Sequence, residues 1–224
     1  MITRTPLAVP LVALAGLLAL LALTMVGWAP LAGLDAAVSA AFRGYGTDRP
    51  GLIAVLRIAT DVAATGPFLA AGLLATLVLA AARRRRPAVF CAVVTVLVPV
   101  TWSLLHLLLH HPRPVDGFVV ATSNGFPSGH TSNAAAAALA AVLLLWHRLG
   151  RPARVALAVL AAAFAVLIGL TRVALLAHWP VDVLGGWLLA LTLVPLAARL
   201  AGSDRVAADR TGAGPTARGP VPAG

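Results

Sequence analysis

The chain has no lysine and no glutamate: all 17 of its basic side chains are arginine, among 224 residues. Any site that needs a cation must therefore draw on Arg, or on a His that has taken up a proton. A single cysteine, Cys91, excludes an internal disulfide and a thiolate metal cluster. Carboxylates are few and scattered, so no acidic cluster is available to hold a cation. Charge of any kind is scarce. Only 11% of residues are charged and 60% are hydrophobic, with a mean hydropathy of +0.95. A soluble domain carries about 25% charged and about 45–50% apolar residues, so a soluble globular class is excluded. The length suits one domain of several membrane spans. A formal charge of +10 would suggest nucleic acid in a soluble protein. Here the Arg residues gather at the ends of apolar runs, which is the pattern of membrane topology, and no nucleic-acid partner is expected.

What is present is a succession of apolar runs. A crossing helix needs about 20 apolar residues. Leu7–Trp28 is uncharged and reads as the first span. Val38–Ala40 resembles a signal-peptide cleavage site, but the preceding run is longer than an ordinary signal core. Leu34–Ala59 carries Asp35, Arg43, Asp48, Arg49 and Arg57 and is punctuated by Gly44, Gly46 and Pro50-Gly51. It reads as two short amphipathic helices at the interface, or as an ordinary connection. Further spans are expected at Val62–Ala82, Ala88–Leu109, Gly129–Trp146, Val155–Leu170 and Val183–Ala198. The expectation is an all-α polytopic membrane bundle of about six helices. Residues 1–60 form the first span and interfacial segment, 61–200 the core, and 201–224 a tail whose Gly, Pro, Ala and Arg content predicts disorder.

Arg4, Arg83–Arg86, Arg148, Arg151, Arg154 and the tail arginines fall on one side of this layout. The positive-inside rule makes that side cytoplasmic, together with both termini. A multi-pass protein of the cell membrane is expected. The other side then receives the ends of spans three and five and the starts of spans four and six. Four span ends at one depth can assemble a single extracytoplasmic site.

The polar residues at those ends fall in three segments: His106-x6-Arg113-Pro114, Pro127-Ser128-Gly129-His130, and Thr171-Arg172-x5-His178-x3-Asp182. Ionisable residues inside a membrane segment mark function by default. Two Arg forks suit the oxygens of a phosphate. Ser128 is placed to cap the fourth span, leaving the Gly129 and His130 N–H groups as an anion site. His178 and Asp182 are four apart. Asp182 can fix one ring nitrogen of His178 and leave the other as a nucleophile. His130 can protonate a leaving oxygen. The chemistry so assembled is phosphoryl transfer through a phosphohistidine, with no metal and no cofactor.

These three segments resemble the motifs of the type 2 phosphatidic acid phosphatase family, K-x6-R-P, P-S-G-H and S-R-x5-H-x3-D. That family shares a superfamily with vanadium haloperoxidases and class A acid phosphatases. The resemblance covers residues 60–200, and the six-span layout is similar to that of bacterial membrane members. It implies that His178 is the nucleophile, Asp182 its orienting partner and His130 the general acid. It also implies that Arg113, Arg172, Ser128 and Gly129 hold the phosphate. Two positions depart from the pattern. Thr171 replaces Ser and keeps a hydroxyl. His106 replaces Lys; as a phosphate-binding residue it supplies a charge only when protonated, so activity should favour acid pH.

The implied substrate is a membrane lipid phosphate or pyrophosphate presented from the bilayer, of the undecaprenyl pyrophosphate, phosphatidic acid or phosphatidylglycerol phosphate type. The alternatives are a vanadate-dependent haloperoxidase and a non-enzymatic lipid-binding or transport protein with a degenerate site. His110 and His111 read as interfacial side chains just outside span three. Trp28, Trp146 and Trp187 read as interfacial anchors. Asp116, Ser123 and Asn124 are loop polars within reach of a substrate. The sequence leaves the oligomeric state open.

Overall fold

Apolar segments in a bilayer must satisfy their backbone hydrogen bonds internally, which makes them helices. A computed structural model describes residues 2–3, 5–121 and 123–201. Arg4 and the tail from residue 202 onward, including its expected disorder, lie outside the described residues.

The helices are α1 (Ala8–Met25), α2 (Ala29–Thr47), α3 (Pro50–Thr60), α4 (Thr65–Ala81), α5 (Arg85–Leu108), α6 (Gly129–Leu145), α7 (Arg151–Ala174) and α8 (Pro180–Leu200). Single 3-10 turns stand at Asp61–Ala63 and Trp146–Arg148. Proline occupies the first turn of α2, α3, α7 and α8, where its missing N–H has no helical partner to lose. Among the described residues, six stretches are long and apolar enough to cross a membrane. One of them, Pro50–Ala81, is broken by the 3-10 turn and by extended backbone at Ala64, which separates α3 from the apolar helix α4. Residues 34–59 do form two helices, α2 and α3, although α2 starts at Ala29.

The last two spans, α7 and α8, outrun the expected ones at both ends, whereas α1, α4 and α6 fall within theirs. The fifth was expected at Val155–Leu170 but runs from Arg151 to Ala174. A hydropathy window stops at charged residues, whereas the backbone continues while its hydrogen bonds continue. This matters because it puts Arg172 on the last turn of α7.

α8 is the innermost helix, packed against α1, α5, α6 and α7. Gly185 and Gly186 allow that. A Cβ on Gly185 would stand 2.6 Å from the Phe126 ring, and one on Gly186 would stand 2.9 Å from the Ser128 carbonyl oxygen. The apolar core below them joins Phe90, Val94 and Val98 of α5, Ala136 and Leu143 of α6, and Ala190 and Val194 of α8.

The bundle has two distinct ends. At one, the Thr3 N–H donates to the Leu143 carbonyl at 2.9 Å and Arg199 donates to the Thr5 carbonyl. The chain start and the C-terminal ends of α6 and α8 meet there. At the other end lie the close of α5, the start of α6, the close of α7 and the start of α8. α2 and α3 lie at this second end: Arg43 donates to the carbonyls of Val115 and Asp116, and Ile53 packs on Leu175 and Ala177.

Candidate active site

The loop from Leu109 to Ser128 folds back over the α7–α8 turn. The Phe118 N–H donates to the Leu175 carbonyl at 3.0 Å, the Trp179 indole to the Pro112 carbonyl at 2.8 Å, and Arg57 to the Phe118 carbonyl. The Phe126–Pro127 peptide is cis. The Ser128 N–H donates to the Asp182 carbonyl at 2.9 Å. These bonds bring the second segment against the third.

His178 is buried in the short turn between α7 and α8. Its Nδ1 lies 3.2 Å from Asp182 Oδ2, which also accepts the Trp179 N–H at 3.0 Å. The carboxylate is fully buried and accepts a hydrogen bond from Nδ1–H, so Nε2 is left as the acceptor. That Nε2 is 2.7 Å from Arg113 Nη1. Burial, chiefly, and the charges of Arg113 and Arg172 push the His178 ring down to about 4, against the pull of Asp182. It is neutral at physiological pH, as a nitrogen nucleophile must be. Room for this arrangement depends on Gly125, where a Cβ would stand 2.7 Å from Asp182 Oδ2.

Arg113 is held on every side. It donates to the carbonyls of Ser123 at 2.8 Å, Ala177 at 2.7 Å and Asn124 at 3.1 Å, and to the Ser123 hydroxyl at 3.0 Å. Burial lowers its pKa from the ordinary guanidinium value, and it remains a cation. Arg172, also buried, donates through Nη1 to Thr60 Oγ1 at 3.3 Å. Its Nε has no partner among the described residues. It lines a cavity of about 380 Å³ with His130, Arg57, Thr60 and Asp61. His130, Arg172, His178 and Arg113 are electrostatic neighbours.

The α6 terminus differs from expectation in one detail. The Ser128 side chain makes no cap bond; its Oγ instead receives the Thr131 hydroxyl at 3.0 Å. Thr131 holds the hydroxyl that was assigned to the cap. The Gly129 and His130 N–H groups remain at a helix N-terminus, where such donors lack helical acceptors.

His106 is buried on the last turn of α5, and its Nε2 stands 2.7 Å from the Pro127 carbonyl. A carbonyl only accepts, so Nε2 carries the proton. The ring lines a cavity of about 900 Å³ with Arg113, Ser123 and Asn124. In this state it steadies the segment that leads into Ser128. Thr171 donates to the Ile168 carbonyl at 2.7 Å and stands 3.1 Å from Thr60 Oγ1.

Three residues were not read as part of the site. Thr60, buried at the end of α3, holds Arg172. Asp35, buried on α2, accepts the Val181 N–H at 3.0 Å. His111, read as interfacial, has its Nε2 3.2 Å from Asp182 Oδ1. Asp35 carried a signal, since it is a lone carboxylate in an apolar stretch. Thr60 carried none. Asp116 is highly exposed and 3.8 Å from Arg43. Among the described residues no three His, Cys, Asp or Glu side chains are gathered as metal ligands would be.

Residues 111–204 match the PAP2 superfamily. No curated protein matches the chain significantly. The fold is similar to a crystal structure described as the first transmembrane PAP2 type phosphatidylglycerolphosphate phosphatase from Bacillus subtilis. The TM-score is 0.73 at 24% identity, over 92% of this chain and 98% of that one.

Proposed function

We propose that this chain, with its PAP2 superfamily segment at residues 111–204, is a membrane-embedded phosphatase that acts on lipid phosphates through a phosphohistidine at His178. The observation that carries the reading is the environment of one atom. His178 Nε2 is a lone-pair nitrogen on a buried neutral ring, tautomerically set by Asp182 and adjacent to the Arg113 fork.

Arg113, Arg172, Ser128 and the Gly129 N–H hold the phosphoryl oxygens, with His106 when protonated. Nε2 attacks phosphorus, the bond to the leaving oxygen breaks, and His130 gives that oxygen its proton. Water then attacks the phosphohistidine. His130 takes the water proton, inorganic phosphate leaves, and His178 is regenerated. Charge on the transferring group is met by two guanidiniums and by helix N–H groups fixed in advance. The steps require no metal ion.

The substrate is a membrane amphiphile whose head group reaches the site from the bilayer. Phosphatidylglycerol phosphate, the substrate type named for the structural neighbour, joins phosphatidic acid and undecaprenyl pyrophosphate as candidates. Arg83–Arg86 cluster at the turn from α4 into the start of α5, at the end of α5 away from His106. The positive-inside rule then favours a cell-membrane protein with an extracytoplasmic site.

A phosphate-release panel over these lipids in detergent, with EDTA, tests the reading. Wild type should release phosphate and His178→Ala should not. Equal release from both would sink the phosphohistidine mechanism, and loss of release in EDTA would show that a metal is required.

A further inference from the structure

The reaction above uses one oxygen of Asp182. Oδ2 takes the His178 ring and the Trp179 N–H. Oδ1 points the other way, toward His111, whose Nε2 is 3.2 Å distant but off the line of a hydrogen bond. Neither atom has another hydrogen-bond partner among the described residues. A fully buried carboxylate oxygen left unpaired is costly, and at 3.2 Å the His111 ring nitrogen is the polar atom within reach of it. His111 is itself anchored. Its N–H donates to Asn124 Oδ1 at 3.2 Å, its carbonyl accepts from Gly125 at 2.8 Å, and its ring meets Phe126 edge-on at 88°.

Behind His111 stands a second buried carboxylate. Asp35 lines the same small cavity as His111. Its Oδ1 accepts the Val181 N–H at 3.0 Å, one residue before Asp182. Pro180 opens α8 and has no N–H, so Val181 offers the first amide proton of the helix. A helix far away in sequence, α2, thus fastens the turn from which Asp182 projects.

We propose that His111 and Asp35 are positioning residues for the reaction at His178: His111 closes the outer oxygen of Asp182, and Asp35 fixes the helix turn that carries it. The inference rests on the phosphohistidine reading and extends it to residues that do not touch the phosphate. Held from both sides, Asp182 keeps His178 in the Nδ1–H tautomer with Nε2 aimed at the ligand. A partner that orients another ligand or base through a hydrogen bond commonly governs activity.

The test uses the full chain in detergent. His111→Phe keeps a ring against Phe126 and offers Asp182 no proton. It should lower kcat by about 10- to 100-fold with KM little changed. His111→Gln, which still donates, should recover part of the loss. Asp35→Leu should lower kcat, and Asp35→Asn, which still accepts from Val181, should lower it less. In an Asp182→Asn background, His111→Phe should cost less than about twofold more, because residues acting through one partner are not additive. A full second loss there, or an unchanged kcat for His111→Phe in an otherwise active enzyme, overturns the inference and leaves the phosphohistidine reading intact. If wild type releases no phosphate, that reading fails, and 15N-histidine NMR of His178 decides the inference alone. A fixed Nδ1–H tautomer in wild type that becomes mixed in His111→Phe supports it; identical spectra overturn it.

Discussion

Arg113 Nη1 stands 2.7 Å from His178 Nε2, so the atom assigned to attack already carries a hydrogen-bond donor before any ligand arrives. A phosphate offers Arg113 charged acceptors stronger than a neutral imidazole. On the proposed mechanism, its arrival should draw the guanidinium from His178 to the substrate and uncover Nε2. Arg113→Ala should reduce kcat/KM by about 10²–10³, the usual cost of one donor to a developing charge. The same variant should speed carbethoxylation of His178, read by peptide mass spectrometry. Slower or unchanged modification would show that Arg113 does not cover Nε2.

The second prediction concerns the charge of His178. Burial first, then the two Arg charges, push its pKa down to about 4, while Asp182 opposes them. A 15N NMR titration should place the midpoint near 4, and a midpoint near the ordinary 6.5 rules this account out. The folded-state pKa lies below the unfolded value, so the stability this residue contributes is complete above about pH 6.5. It is lost as pH falls toward 4. Asp182→Asn removes the partner that holds the pKa up and should move the midpoint lower still. It also frees the tautomer, and kcat should fall by about 10³–10⁴.

The three segments of the candidate site were legible because they are polar residues in apolar surroundings, where any ionisable group stands out. Arg113, His130, Arg172, His178 and Asp182 all announce themselves that way, and the helical count brings their span ends to one depth. The residues that hold them were not legible. Thr60 is an ordinary threonine until α3 folds its hydroxyl onto Arg172. His111 looked interfacial because its partner, Asp182, lies about seventy residues later. The Ser128 cap failed for a local reason: Thr131, one turn on, reaches the same hydroxyl. Pattern rules see spacing along one helix, whereas these contacts run between elements.

Asp35 gives a third prediction, on stability. Burial, above all, raises its carboxyl to about 6, with the nearby Asp182 charge adding to the effect and the Val181 N–H and His111 opposing it. The folded state therefore holds this proton more tightly than the unfolded state. Stability from this group is present below about pH 4 and declines as pH rises through 6. Asp35→Asn keeps an acceptor for Val181 and has no proton to lose. Its melting temperature relative to wild type should rise between pH 4 and pH 7. A difference that stays constant with pH would show that Asp35 does not titrate in this range.

Gly125 supplies a prediction about clearance. A Cβ at this position would stand 2.7 Å from Asp182 Oδ2 and 3.4 Å from Arg113 Cγ. Gly125→Ala should push the carboxylate off the His178 ring. A displacement of this kind costs about 100-fold in rate. The helices are not involved, so circular dichroism should be unaltered. Gly186→Ala should behave differently. Its Cβ would meet the Ser128 backbone at 2.9 Å and should destabilise the α6–α8 contact by about 1–3 kcal/mol. Thermal unfolding and phosphate release measured on both variants separate the two effects. Equal melting losses for both would show that Gly125 is only a packing residue.

His106 is where the chain departs furthest from the lysine its segment resembles. Its Nε2 proton is committed to the Pro127 carbonyl. In the neutral ring the remaining nitrogen, Nδ1, holds a lone pair, which repels a phosphate oxygen. Only the doubly protonated ring can serve the carbonyl and an anion together. Phosphate binding by His106 is therefore an acid-side property, because it needs the second proton on the ring. His106→Lys supplies a permanent charge and donors enough for both acceptors. It should raise kcat/KM several-fold at pH 8, and less at pH 5.5, toward which protonation of the histidine increases. An increase of the same size at both pH values would mean that charge is not what distinguishes the two side chains. Loss of activity at both would mean that His106 acts by holding Pro127, and that the phosphate is bound by the two arginines and the α6 terminus without it.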